Sequence, residues 1–213
     1  MPLSLYPTAC ADFPEPFAGV DEAGRGCLAG PVAAAAVILP KGLEIPGLAD
    51  SKKLSADARA ALEPEIKALA LAWGVGLSRP REIERVNILK ATLKAMQRAV
   101  NALKIAPDFL IIDGCHTLAL SIPQKAVVKA DLKIPAVSAA SVLAKTFRDR
   151  LLTKLDARYP GYGLCRHKGY GTKEHLDALS RLGPSPVHRM SFKGVRQDKD
   201  AQKVPEELCL PDI

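Results

Sequence analysis

Four acidic residues stand where a side chain could leave an apolar core and do chemistry. Asp21 and Glu22 follow the apolar run Phe17–Val20, Asp113 follows Phe109–Ile112, and Asp131 follows a shorter stretch at Lys125–Lys129. A carboxylate beside Ile111 and Ile112 is costly to bury unless a cation or strong donors compensate it. Magnesium and manganese do this well, because hard divalent cations take oxygen ligands. Two such ions about 4 Å apart can activate a water and stabilise the leaving oxygen in phosphodiester hydrolysis. His116 is the one histidine close in sequence to any of these acids, which favours a magnesium-type site over zinc. Adjacent strand residues face opposite sides, so either the chain bulges or ends at Asp21 and Glu22, or one of the two contributes differently. For any one of these acids a helix cap or a surface ion pair is the competing explanation, and acid placement alone supports only a metal-dependent hydrolase.

The elements that must hold these acids can be read from periodicity. Phe17–Asp21 and Pro31–Leu39 read as strands joined by a glycine-rich turn, and hence as an antiparallel hairpin. Ser55 is suited to cap an alanine-rich helix running to about Ala70, with Pro64 expected to kink or split it. Leu71–Leu77 reads as a strand. Arg81–Leu103 reads as one long helix, from Ile88, Leu89, Leu93, Met96, Val100 and Leu103. Phe109–Ile112 and Lys125–Lys129 read as strands, Ala136–Tyr159 as a second long helix, Tyr159–Gly171 as a loop, and Thr172 to about Leu182 as a shorter helix. Strands alternating with helices predict an α/β fold on a mixed sheet.

A chain of 213 residues suits one hydrophobic core. No apolar run approaches the roughly 18 residues that span a bilayer. The first 16 residues carry Asp12 and Glu15 and no basic residue, unlike a secretory signal, so a cytoplasmic protein is expected. The five cysteines lack any C-x-x-C pair, which argues against a zinc ribbon and for reduced thiols. The net charge of +7 is unevenly spread: residues 1–16 carry −2, residues 197–213 carry −3, and the body carries +12. A basic body suits a polyphosphate partner, whose counterions are released on binding.

The motifs, taken in order, are similar to those of one family. GVDEAGRGCLAGPV (19–32) closely resembles the signature opening of ribonuclease HII, the bacterial type 2 ribonuclease H. Further matches are DSKKL (50–54), NILK (87–90), IDG (112–114), KAD (129–131), IPAVSAASVLAK (134–145), Arg148-Asp149, HKGYGT (167–172) with His175, and HRMSF (188–192). The resemblance spans about residues 17–193. The family often has glycine where this chain has Ala130.

The resemblance implies a ribonuclease H-like fold: a mixed five-stranded sheet flanked by helices, with a small helical C-terminal extension. It implies a catalytic domain over 17–196, between an N-terminal extension (1–16) and an acidic tail (197–213). It further implies that Asp21, Glu22, Asp113 and Asp131 form the active site and hold two Mg2+ or Mn2+ ions. The implied substrates are RNA–DNA hybrids and duplex DNA containing ribonucleotides, cut on the 5′ side of a ribonucleotide to leave 3′-hydroxyl and 5′-phosphate ends, by a monomer that has no membrane partner. Gly24, Arg25 and Gly26 would grip the ribose 2′-hydroxyl, and Tyr170 would stack on the following sugar. Lys52, Lys53, Lys129 and Lys145 would meet phosphates, with Arg148 and Arg189 as similar candidates; packing or pairing with Asp149 competes for Lys145 and Arg148. Ser138 and Ser141 either approach a phosphate or keep a helix close to the sheet. His116, His167, His175 and His188 are expected to be structural or phosphate-adjacent. Two rivals stay open: a type 1 ribonuclease H, and a non-catalytic hybrid-binding module.

Overall fold

The computed structural model describes residues 13–48 and 54–196. The hairpin is present: β1 (Phe17–Ala23) and β2 (Val32–Ile38) pair antiparallel from Gly19↔Val37 to Ala23↔Ala33. β3 (Ala72–Ser78) adds antiparallel to β2, while β4 (Phe109–Asp113) and β5 (Gln124–Val127) run parallel to β1. The resulting mixed sheet has the order β3-β2-β1-β4-β5. Central strands covered on both faces lose the polar alternation of half-exposed ones, and Val32–Ile38 is apolar and buried throughout.

Among the described residues, six α-helices are interleaved with and follow the strands. α1 (Ala56–Leu69), α2 (Pro80–Val86), α3 (Ile88–Asn101) and α4 (Pro135–Arg158) surround the sheet; α5 (Leu164–His167) and α6 (Lys173–Leu182) form the helical C-terminal extension. One core joins odd-numbered residues of β1 and β4, such as Phe17 and Ile111, to α4 and α1. The other joins even-numbered ones, such as Val20 and Ile112, to α3. Each fully buried Ile or Leu in these layers contributes roughly 1.5–3 kcal/mol. Gly19 sets the approach of α4: a Cβ there would lie 2.3 Å from the backbone of Ala136 and Val137. Phe13 extends the α4-side core, its ring 5.4 Å from that of Phe109.

Four expectations need correction. The Arg81–Leu103 helix is two helices, broken at Asn87, whose φ is 71° and whose side chain accepts from the Lys90 N–H at 3.0 Å. Asparagine tolerates the left-handed region and caps well, so it restarts the chain on a new axis. α1 is neither split nor ended by Pro64, because Leu62, Glu63 and Ile66 anchor it on both sides. β1 does not stop at Asp21 but stays paired with β2 through Ala23. The Tyr159–Gly171 loop contains the single turn α5. Ser55 caps α1 as expected, accepting from the Ala58 N–H at 3.1 Å. Among the described residues, no helix is long and apolar enough to cross a membrane.

Candidate active site

Asp21 and Asp113 reach one place because β1 and β4 are parallel and in register. Val20 pairs with Ile112, and the next residue on each strand turns toward α4. Asp131 arrives on a 3-10 turn (Ala130–Leu132) entered through Lys129 in the left-handed conformation, φ 58°. That geometry aims the Ala130 N–H at Asp113 Oδ1, 2.7 Å away. Alanine serves here as well as glycine, since the left-handed residue is Lys129. Glu22 lies beyond the last β1–β4 pair, and its carboxylate interacts with those of Asp113 and Asp131. No bulge is needed: β4 ends, and a glutamate on the other face of β1 still joins the group.

The electrostatics are those of anions kept out of water. Asp21 is buried and its pKa is raised well above the carboxylate range, first by burial, then by the charges of Glu22 and Asp113. Ser141 and the Glu22 N–H, 2.7 Å from Asp21 Oδ1, offset part of that cost. Glu22 is likewise shifted upward, chiefly by burial, with Arg25 opposing at 3.8 Å. Ser138 donates to the Asp131 carbonyl, which anchors the 3-10 turn on α4.

These residues fit a hard divalent cation: the donors are all carboxylate oxygens, and burial and mutual repulsion favour a bound positive charge. Among the described residues, no three His, Cys, Asp or Glu side chains form a ready-made ligand shell. Two of the carboxylate oxygens are instead turned to backbone donors, Asp21 to Glu22 and Asp113 to Ala130.

Beside the acids, residues 24–30 form a loop held by two guanidiniums. Arg148 donates Nε to Pro31 O at 3.0 Å, Nη2 to Ala29 O at 3.0 Å and Nη1 to Lys168 O at 2.9 Å. Arg189 donates Nε to Gly30 O at 3.0 Å, Nη2 to Gly24 O at 2.7 Å and Nη1 to Arg25 O at 2.8 Å. Both side chains are fully buried. Three of the five N–H donors of each go to backbone carbonyls and neither side chain reaches the surface, so the expectation that they contact phosphates does not hold. Gly24 is required where it is, because its φ is +88° and a Cβ would collide with Arg148 Nε at 1.8 Å. Gly26 is different: a Cβ there would meet nothing within 4 Å.

Tyr170 stands over this loop, 44% exposed, with Lys145 Nζ 5.7 Å from its ring centre. Lys145 also pairs with Asp149 at 2.7 Å. Burial and the neighbouring Cys27 raise the Tyr170 pKa. A histidine chain fixes the Tyr170 backbone. The Ser185 N–H donates to His188 Nδ1 at 3.0 Å, leaving His188 Nε2–H to face His175 Nε2 at 3.0 Å, and His175 Nδ1 donates to Tyr170 O at 2.9 Å. His167 stacks on His175 at 4.3 Å and donates Nε2 to Tyr162 O at 2.8 Å. Burial first, then the neighbouring imidazole, pushes His188 down to about 4. All four histidines are expected to be structural or phosphate-adjacent; His167, His175 and His188 hold one another and the backbone, and His116 lies apart, its Nδ1 3.2 Å from Cys115 Sγ.

The structure thus gathers Asp21, Glu22, Asp113 and Asp131 beside Gly24–Gly26, Lys145 and Tyr170, with Lys129 exposed at the turn that carries Asp131. Lys52 and Lys53 lie outside the described residues. For Arg148 the competing expectation of packing is the one the structure supports, while sequence reasoning missed Arg189 as a strut, because its basic type resembled a phosphate contact.

The family model for ribonuclease HII matches residues 18–195. Ribonuclease HII of Nitratidesulfovibrio vulgaris is 52% identical, over 98% of either chain. Ribonuclease H2 of Pyrococcus horikoshii superposes with a TM-score of 0.70 at 28% identity, covering 84% of this chain and 94% of that one. Bst ribonuclease HIII in complex with Mn2+ superposes with a TM-score of 0.64 at 19% identity, over 84% of this chain and 67% of that one, which bears on the fold alone.

Proposed function

The chain belongs to the ribonuclease HII family, and from that premise we propose that it hydrolyses the RNA strand of RNA–DNA hybrids and incises duplex DNA on the 5′ side of an embedded ribonucleotide. Its fold is ribonuclease H-like and it is an enzyme. The observation that carries the finer reading is the meeting of four carboxylates, two of them with raised pKa, beside a loop whose glycine at 26 is open to the outside.

In this reading Asp21, Glu22, Asp113 and Asp131 hold two divalent ions, Mg2+ or Mn2+. When bound, these ions supply the positive charge that activates water for attack and offsets charge on the leaving oxygen. Gly24-Arg25-Gly26 contacts the ribose 2′-hydroxyl, the group that separates RNA from DNA. Arg189 occupies the Gly24 and Arg25 carbonyls and the Cys27, Leu28, Ala29 and Gly30 N–H groups bond within the protein, while the Arg25 side chain stays exposed. Tyr170 packs on the next sugar, while Lys129 and Lys145, with Lys52 and Lys53, neutralise phosphates. The enzyme works as a cytoplasmic monomer with a catalytic domain over 17–196, flanked by an extension (1–16) and an acidic tail (197–213).

The test is cleavage of a DNA duplex carrying one internal ribonucleotide, with Mg2+ or Mn2+ and with EDTA as control. Metal-dependent incision on its 5′ side, leaving 3′-hydroxyl and 5′-phosphate ends, is the expected result. Cutting only a long hybrid would indicate type 1 specificity, and binding without cutting would indicate a non-catalytic module; each overturns the proposal.

A further inference from the structure

A second basic surface stands two strands away from the acids. β3 runs antiparallel to β2 with Ser78 opposite Val32, so α2, which follows Ser78, rises from the same end of the sheet as Ala23 and the acid cluster. β2 alone lies between β1 and β3, a span of about 10 Å at the usual strand spacing. Arg79, Arg81, Arg85 and Arg98 line a groove there together with Phe147 of α4, and Glu82 is the one acid in its lining.

Glu82 is already committed. Arg98 holds it through two bonds of 2.6 and 2.9 Å, and Lys94 adds a contact at 3.5 Å. Arg98 is itself pinned to Leu77 O at 2.5 Å and Ser78 Oγ at 3.0 Å. Arg79, Arg81 and Arg85 remain exposed and form no ion pair with any described residue. Arg81 and Arg85 are four apart on a helix, where like charges repel, although Arg85 in the last turn suits the helix dipole. Their platform is rigid: Ile83 is buried, and Glu84 accepts from the Ser191 N–H and hydroxyl, both at 3.0 Å.

We propose that Arg79, Arg81 and Arg85 grip phosphates of the duplex flanking the cleavage point, anchoring it beyond the acid cluster; this rests on the nuclease reading given above. Exposed guanidiniums suit phosphate by charge and by their planar fork of donors. A polyanion bound at the acids passes within reach of them, which favours the duplex backbone over an acidic protein.

The test uses Arg81→Ala/Arg85→Ala and Arg81→Lys/Arg85→Lys in the full chain. Binding to a DNA duplex of about 20 base pairs is titrated in EDTA over a range of salt concentrations. The alanine variant is expected to bind about tenfold more weakly at low salt, and its slope of log affinity against log salt to be shallower by about 2, close to 0.9 per lost phosphate contact. The lysine variant retains the slope, and melting temperatures show that both variants fold. A slope equal to that of the wild type overturns the proposal, as does an unchanged slope with lost binding of a poly-glutamate peptide. The readout does not depend on cutting. A variant that loses slope in a protein whose wild type cuts neither a hybrid nor an embedded ribonucleotide would uphold the groove and sink the proposed cleavage reading.

Discussion

The acid cluster and the glycine-rich loop are neighbours that handle buried charge in opposite ways. The loop is built around two buried cations, yet each guanidinium spends its donors on three backbone carbonyls. The cluster gathers anions that repel one another, and the polypeptide only partly offsets them, through Ser141 and a few backbone N–H groups. A buried charge with its hydrogen bonds satisfied is architecture, whereas a buried charge kept at a cost is retained for what it binds. The carbonyls that Arg189 holds belong to Gly24 and Arg25, so the scaffold region positions the reactive one.

The largest effect should come from the reactive side. Asp113→Asn is expected to lower cleavage on the order of 10³-fold, as when one member of a cooperating catalytic set is removed, while binding of uncut duplex persists. Cleavage near the wild-type rate would break the comparison. The scaffold side should respond through folding. Arg148→Met or Arg189→Met removes three hydrogen bonds to backbone carbonyls and should cost about 3–5 kcal/mol in urea denaturation; a loss under about 1 kcal/mol would mean that these arginines are not struts.

The pH dependence of stability should run in opposite directions in the two regions. His188 has a folded pKa of about 4 against an ordinary 6.5, so the unfolded chain takes up its proton first as the pH drops. Its contribution is full above about 6.5 and is lost toward 4, amounting to about 3 kcal/mol at 1.36 kcal/mol per unit. Asp21 is shifted upward, so the wild type loses stability as the pH rises from the usual carboxylate range through its folded value. Asp21→Asn should therefore melt higher than wild type at pH 8 and lose that advantage in acid. Parallel melting curves for the two proteins at every pH would contradict the assignment. The smallest change is Ser141→Ala, which removes a donor to Asp21 and should cost about 1 kcal/mol; an unchanged midpoint in urea would show that the bond contributes nothing.

Much of this was legible along the chain. Strand runs ending near acids, the Ser55 cap and the ordered motifs reflect local chemistry and short-range periodicity, and β1, β2, β4 and α4 formed close to where those signals lay. The break at Asn87 was harder to see, because apolar residues at helical spacing run up to it and beyond, while the left-handed φ that ends the helix depends on how α2 and α3 each pack.

What the sequence alone determined is the identity of the acids, their placement after apolar strands, and the glycines that let the loop turn. Only the tertiary structure decided how Asp21 and Glu22 come together, because β4 ends where β1 continues and alternation along one strand cannot show that. It alone decided that Arg148 and Arg189 face inward. An arginine carries the same charge toward a phosphate or a backbone carbonyl, and which it meets is set by chain segments more than a hundred residues away.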